Sequence, residues 1–435
     1  MDIVVKAIIG VTYLGLVAAI ALGVDRLKAA LAAVAIAVSV SIFSTAISPL
    51  DALHYIDLDV LGLIVFASAI SWFMEDCGLV NIIALKIVRS SKGSVLRLTL
   101  LTSIIGGLLS TFMENVSVVL ILSPIVITTC RMAGVNSVPI VVMMALSVNI
   151  AGSALLVGDP QAAIIASRYN LGFFDFIYYL GKPSMLVIVL ISMLTAITLS
   201  PTYAKLSRKL FNHSFTEIKL PRVNRKYVVA VVLALTAKIA LLSLRKELGL
   251  SLTASAAAPT IVLIAFYGLR KWRELLKAAL DYRLLLFIAS MFYLVGFMDK
   301  SSLTTDIANI ILLYSGSAIE TSALLILFSA LASSVIDNIP IITAMIPVVN
   351  AIANYRNVEP VVIAWGLLIG ATIGGNATYI GASANYTAVR ILEKHGENVS
   401  FMDFLKIGGI YALVSLIAST TLYYLFYYEL LNPPP

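Results

Sequence analysis

The chain has 435 residues, of which 60% are hydrophobic and only 12% charged, with a mean hydropathy of +1.00; an ordinary soluble domain carries about 25% charged residues, so water is not the solvent for most of this surface. A net charge of +7 could serve nucleic acid, but the Lys and Arg residues gather in short loops between apolar runs, a membrane-protein pattern that leaves no case for a nucleic-acid partner. Two cysteines, Cys77 and Cys130, and three histidines without metal-ligand spacing support neither a zinc site nor a disulfide framework.

Apolar stretches of about 20 residues, enough to cross a roughly 30 Å hydrocarbon core, recur along the chain. In order they predict spans at 3–23, 29–48, 58–76, 138–167, 184–200, 227–244, 250–268, 284–299, 359–390 and 408–428. The first is followed by its basic cluster, Arg26 and Lys28, which reads as a retained span and not a cleaved signal peptide. Two further segments, 94–131 and 317–351, are apolar on both sides of a short polar centre. Each is too broken to cross once and too short to cross twice, so a re-entrant helical hairpin is expected, buried in protein or lining a wet cavity. The expected fold is therefore an all-α polytopic membrane protein of about ten transmembrane helices plus two re-entrant hairpins.

Basic residues set the expected orientation. Arg26, Lys28, Lys86, Arg89, Lys92, Arg97, Arg131, the stretch from Lys205 to Lys226, Arg270, Lys271, Arg273, Lys277 and Arg283 fall on one side of this plan, with Asp51, Asp57 and Asp59 on the other. The N-terminus should lie outside a plasma membrane and the central linker inside. Lys182, Arg245, Lys246 and Lys300 are exceptions. Lys238, within the sixth span, is expected to snorkel outward. Glu75, Asp76 and Asp299 read as solvated span ends, and Tyr178-Tyr179 and Tyr423-Tyr424 as interfacial belts.

Self-comparison reveals a repeat. Ser110-Thr111-Phe112-Met113-Glu114-Asn115-Val116, continuing to Pro124, aligns with Ser333-Ser334-Val335-Ile336-Asp337-Asn338-Ile339, continuing to Pro347, at an offset of 223. The same register carries Ala151-Gly152-Ser153-Ala154 and Gly158-Asp159-Pro160 onto Gly374-Gly375-Asn376-Ala377 and Gly381-Ala382-Ser383. Five spans per half turn the second half upside down, giving two inverted-topology repeats: 1–200, a basic cytoplasmic linker at 201–226, and 227–435.

The repeated positions are the candidate site. Glu114 and Asp337 stand at the polar hairpin centres, where an isolated ionised carboxylate costs several kcal/mol or more and needs a cavity, a cation or a proton. Gly152 and the Gly374-Gly375 pair should break their helices at mid-depth, freeing carbonyls and helix ends as ligands. Single Gly, Ser or Pro residues serve packing more often than chemistry; their repetition in one register is what favours function. Asp159 suits a helix N-cap as well as a ligand.

These motifs resemble the ArsB/NhaD permease family of the ion transporter superfamily, which holds arsenite efflux permeases, NhaD-type sodium/proton antiporters and the melanosomal P protein. The resemblance rests on Phe112-Met113-Glu114-Asn115-Val116, Gly158-Asp159-Pro160, Ile336-Asp337-Asn338-Ile339-Pro340 and Gly374-Gly375-Asn376-Ala377-Thr378 with Gly381-Ala382-Ser383-Ala384-Asn385, and covers nearly the whole chain. It implies two opposed hairpins and two broken helices around a central ion and substrate site, alternating access and a homodimer. The implied ion- or substrate-binding residues are Glu114, Asn115, Gly152, Ser153, Asp159, Asp337, Asn338, Gly375, Asn376, Thr378, Ser383 and Asn385, with Na⁺ at Asn115, Ser153, Asn338 and Asn376. The family commonly follows Gly-Asp-Pro with Pro and Asn, whereas this chain has Gln161 and Ala162, leaving an amide missing from the first half. Arsenite permeases often carry a neutral second tip; Asp337 here points instead to cation or proton handling.

The leading expectation is a Na⁺/H⁺-type cation/proton antiporter, with no cofactor beyond Na⁺ or H⁺ as coupling ion, and with membrane lipid and a small ion as partners; three acids and no buried base favour it. The alternative is an arsenite, oxyanion or dicarboxylate carrier coupled to the same ions, since helix N-termini hold anions without Arg or Lys. An intramembrane enzyme using Glu114 and Asp337 as a dyad is disfavoured by the repeat and by His54, His213 and His395 falling in loops. A passive channel differs from a carrier by lacking saturable exchange.

Overall fold

The computed structural model describes residues 3–44, 47–206, 225–268 and 271–432. The basic linker, residue 213 included, lies mostly outside them. Apart from one short antiparallel ribbon pairing Tyr178–Tyr179 with Lys182–Pro183, the described fold is helical. The first half runs α1 (Ile3–Ala21), α2 (Arg26–Ser44), α3 (Pro49–Leu53), α4 (Leu58–Asp76), α5 (Leu79–Ser90), α6 (Val95–Ser110), α7 (Asn115–Met132), α8 (Val138–Gly152), α9 (Pro160–Arg168), α10 (Met185–Leu199) and α11 (Pro201–Leu206). The second runs α12 (Arg225–Ser243), α13 (Arg245–Leu248), α14 (Leu252–Tyr267), α15 (Trp272–Ala279), α16 (Tyr282–Lys300), α17 (Leu303–Leu313), α18 (Ala318–Ser333), α19 (Asn338–Arg356), α20 (Pro360–Gly374), α21 (Ser383–Lys394) and α22 (Phe401–Leu431).

Element boundaries recur at the sequence offset. Helices α6, α7 and α9 begin at 95, 115 and 160, and α18, α19 and α21 at 318, 338 and 383. Local chemistry explains the agreement. Ser94 caps α6 by accepting from the Arg97 N–H, and Ser317 caps α18 by accepting from the Glu320 N–H. Second arms α7 and α19 each carry an internal proline, Pro124 and Pro347. The hairpin arms turn back over Thr111–Glu114 and Ser334–Asp337.

Among the described residues, seven helices are long and apolar enough to cross a membrane, or eight if α17 and α18, bent by 117°, form one span. Five of the ten expected spans are among these seven; of the others, 138–167 and 359–390 are each split in two, 184–200 and 250–268 appear as the shorter apolar helices α10 and α14, and 29–48 runs into residues outside those described. At 1.5 Å per residue, the 15 residues of α10 and 16 of α14 fall short of the hydrocarbon thickness. Helices α7 and α19, expected as hairpin arms, are themselves long enough to cross. Two amphipathic helices, α5 and α17, stand where only loop was expected, and Lys86 and Arg89 lie on the first of them.

The first hairpin arm packs along its half's broken helix, α6 on α8 and α18 on α20. Small residues allow the approach. A Cβ on Gly107 would stand 3.2 Å from that of Ala151, and one on Gly374 would overlap the Ala330 backbone. Several peripheral expectations change. Lys238 is fully buried, its Nζ without a hydrogen-bond partner among the described residues, and does not snorkel. Tyr423 is core, its hydroxyl donating to the Val362 carbonyl at 2.9 Å. Asp299 accepts from Tyr55 at 2.6 Å and Thr304 at 2.8 Å, and Asp76 pairs with Lys271, so neither is simply solvated. The exceptional basic residues Lys182 and Lys246 are neutralised by Glu429 and Asp175, both at 2.7 Å.

Candidate functional site

Both hairpin tips open on one cavity of about 820 Å³. Its wall includes Glu114 and Asn115 from the first tip, Asp337 and Asn338 from the second, and Asp159 and Ser383 from the starts of α9 and α21. Six of the predicted site residues therefore share one space. The other six, Gly152, Ser153, Gly375, Asn376, Thr378 and Asn385, pack behind it.

The helix breaks explain this division. At the first, a Cβ on Gly158 would overlap the Ser110 carbonyl and come within 2.6 Å of the Gly152 carbonyl; at the second, a Cβ on Gly381 would overlap the Ser333 carbonyl and come within 2.8 Å of the Gly375 carbonyl. The same packing of a glycine against two carbonyls thus occurs twice, and only glycine admits it. A Cβ on Gly152 would strike the Asn115 amide, and one on Gly375 would lie 2.7 Å from Asn338 Oδ1, so each tip asparagine lies against the break of its own half. Thr378 holds its break closed, donating to the Ser334 carbonyl at 2.5 Å and accepting from the Ile380 and Gly381 N–H groups. Ser153 donates to Ile150 one turn back.

At the first tip Glu114 is half-buried, and its carboxylate accepts from Ser117 at 3.2 Å. Asn115 donates to Asp159 at 2.8 Å, and Gln161 donates to the same oxygen at 2.8 Å. Asp159 has the backbone position of an N-cap but makes no capping bond, so its carboxylate belongs to the tip. Gln161, noted above only as a departure from a family pattern, supplies an amide here by a different route. The amide oxygens of Asn115 and Gln161 are buried without a hydrogen-bond partner among the described residues. A pocket of about 30 Å³ lined by Glu114, Asp159 and Ser68 has room for one water.

The second tip is built differently. Arg26, at the start of α2, donates through Nη1 to Asp337 Oδ2 at 2.6 Å and to Ser383 Oγ at 3.0 Å, while Ser383 donates to the same carboxylate oxygen at 3.0 Å. Asp337 also accepts from the Ile339 N–H at 3.3 Å. Asn338 accepts from Ser333. No base was expected at the site; Arg26 had been read only as a loop residue setting orientation. In the same turn Asp25 pairs with Arg283 at 2.6 Å, and the Lys28 N–H holds its carboxyl below the usual range.

Asn149 was also missed. From within α8 it donates to the Thr372 carbonyl at 3.1 Å and to Asn376 Oδ1 at 2.9 Å, while Asn376 donates back to the Leu146 carbonyl at 2.9 Å. Asn385 donates to Gly375 O at 3.2 Å and Asn376 Oδ1 at 3.0 Å. These amides tie the two broken helices together. Of the four residues expected to hold Na⁺, Ser153, Asn338 and Asn376 are engaged within the protein, and Asn115 alone offers an unpaired oxygen.

The CitMHS family model, described as citrate transporter, matches residues 14–370. An uncharacterized transporter of Mycobacterium tuberculosis is 31% identical over 379 residues, covering 86% of this chain and 87% of that protein. Human P protein is 25% identical over 443 residues, covering 83% of this chain and 52% of that protein. Among solved structures, the Alcanivorax borkumensis YdaH transporter superposes with a TM-score of 0.59 at 15% identity, each chain covered to 90%. Neisseria gonorrhoeae MtrF, described as illuminating a class of antimetabolite efflux pumps, gives 0.56 at 16% identity, covering 86% of this chain and 81% of that one. At such identities these structures speak for the fold alone, that of integral membrane transporters.

Proposed function

The chain belongs to the CitMHS citrate transporter family, and from that premise we propose that this secondary transporter moves an organic anion by alternating access, coupled to H⁺ or Na⁺. The observation carrying the anion is Arg26, a guanidinium on the wall of the cavity beside the second tip. The coupling ion belongs to the first tip, where Glu114 and Asp159 have no ion-pair partner among the described residues. A proton would ride on either carboxylate; Na⁺ would take the unpaired oxygen of Asn115. That acid-rich first tip also favours a second reading, Na⁺/H⁺ exchange without an anion. Arsenite, suggested by the ArsB/NhaD resemblance, is an inorganic oxyacid and a separate substrate class that the flux test below includes.

The two halves act as inverted repeats, so that the cavity, ringed by Arg26, Arg283 and Arg390, faces the cytoplasm by the positive-inside rule and the N-terminus lies outside. A homodimer in the plasma membrane completes the proposal. The flux test is uptake into proteoliposomes under imposed pH and Na⁺ gradients, with citrate, succinate, arsenite, Na⁺ and Li⁺ compared. Saturable citrate or succinate uptake driven by either gradient supports the anion reading; Na⁺/H⁺ exchange alone supports the second, and the absence of both overturns the two readings. For topology, Gly134→Cys should react only from the cytoplasm and Asn357→Cys only from outside. Reaction of both from one side removes the inversion.

A further inference from the structure

We propose that Arg26 is the group that recognises the anionic substrate, and that Asp337 is an internal carboxylate holding its guanidinium until a substrate carboxylate takes its place. The inference rests on the anion reading and adds to it one residue and one exchange of partners.

The geometry is that of an incompletely used arginine. A guanidinium carries five N–H donors and meets a carboxylate best through two parallel bonds. Here Nη1 alone serves both Asp337 and Ser383, and Nη2 and Nε bond nothing among the described residues. The open edge belongs to a side chain 43% exposed, whereas Asp337 is only 13% exposed; a solute in the cavity reaches the cation before the anion. The Phe287 ring, with its centroid 5.8 Å from Cζ, backs the guanidinium. The cavity's other arginines are committed: Arg283 to Asp25, and Arg390 to Tyr386 and Glu393.

Asp337 is equally suited to release its partner. Without Arg26 it keeps the hydroxyl of Ser383 and the N–H of Ile339 at the start of α19, a helix N-terminus that itself favours negative charge. The carboxylate is thus left neither bare nor unanchored. The matching position to Arg26 in the second half is Gly249, so this recognition belongs to one tip only.

The test is equilibrium binding of citrate, succinate and inorganic phosphate to the purified full chain in nanodiscs, at fixed pH and Na⁺. For any anion that wild type binds, Asp337→Asn should tighten affinity about fivefold or more, within the usual range of coupled sites, because it removes a competitor. Arg26→Lys should weaken it about tenfold, since a point charge does not replace a planar fork, and Arg26→Ala should abolish it. A merely structural ion pair predicts the reverse for Asp337→Asn: affinity unchanged or lost together with thermal stability. That result, or wild-type affinity in Arg26→Lys, overturns the assignment of Arg26 while leaving the anion carrier standing. Wild type that binds none of the three anions yet exchanges Na⁺ for protons overturns the anion reading and this inference together.

Discussion

The two hairpin tips share a backbone and differ in charge. Each ends in an acid followed by an asparagine, each asparagine leans on a glycine break, and each break is closed by the same pair of carbonyl contacts. Around that frame the first tip gathers a second acid, Asp159, with the amides of Asn115 and Gln161, and the second tip gathers Arg26 and Ser383. Position 159 corresponds to Ala382 and position 160 to Ser383. The two tips thus share a scaffold, which requires glycine and small residues at fixed places, and differ in the side chains that face the cavity. Two chemically distinct subsites opening on one cavity are what coupling an anion to a cation needs.

The largest effect expected from breaking this asymmetry is at Glu114. Glu114→Gln should nearly abolish gradient-driven uptake while the purified protein still binds anion with wild-type affinity, because the proposed function gives this acid to the coupling ion and not to the substrate. Asp337→Asn should also lose transport but bind anion more tightly. If both mutants behave alike in binding and in flux, the tips do not divide the work. Next come the shared glycines. Gly158→Ala and Gly381→Ala each force a methyl into a carbonyl and should each cost about 1–3 kcal/mol, read as lowered thermal midpoint and yield. A large loss at one position and none at the other would mean that the two breaks are not mechanically equivalent.

Legibility from sequence follows the same division. The hairpins and breaks could be read because they depend on local needs, a polar pair between apolar arms and a glycine where carbonyls converge, and because each need appears twice at one offset. Arg26 could not. Beside Lys28 it looks like any loop cation, and only the fold brings the α1–α2 turn to a hairpin tip 311 residues away. Asn149 lies in an apolar run whose counterpart is Thr372, so no repetition marked it. The helices α5 and α17 were read as loop because their periodic apolar stripe is interrupted by charge, Lys86 and Arg89 in one and Asp306 in the other.

A smaller effect is expected between the halves. Asn149→Ala removes donors to Thr372 and Asn376 and should cost about 1–3 kcal/mol by leaving buried acceptors short. Asn376→Ala attacks the same bonds from the other side, so the double mutant should cost less than the two single losses combined, by about 0.5 kcal/mol or more. Full additivity in thermal or denaturant unfolding would show that this amide bridge does not join the broken helices as one unit.

The smallest effect, at Gln161, is the most informative about the coupling ion. Its Nε2 donates to Asp159, and its Oε1 is buried without a partner among the described residues. Replacing it by alanine removes one hydrogen bond to a carboxylate, a loss of about 1.5–3 kcal/mol, but also removes an unsatisfied buried oxygen, a relief of about 1–3 kcal/mol. The two terms oppose, and Asn115 continues to hold Asp159, so Gln161→Ala should change stability by less than about 1 kcal/mol in the absence of Na⁺. Measured again as Na⁺ is raised, the outcome separates two locations for the ion. If Na⁺ sits on the Asn115 oxygen alone, wild type and mutant gain the same stabilisation. If the Gln161 oxygen is also a ligand, the mutant loses most of the Na⁺-dependent rise in thermal midpoint while keeping its midpoint without Na⁺. A protein whose midpoint ignores Na⁺ in both forms leaves the first tip to protons, carried by Glu114 and Asp159.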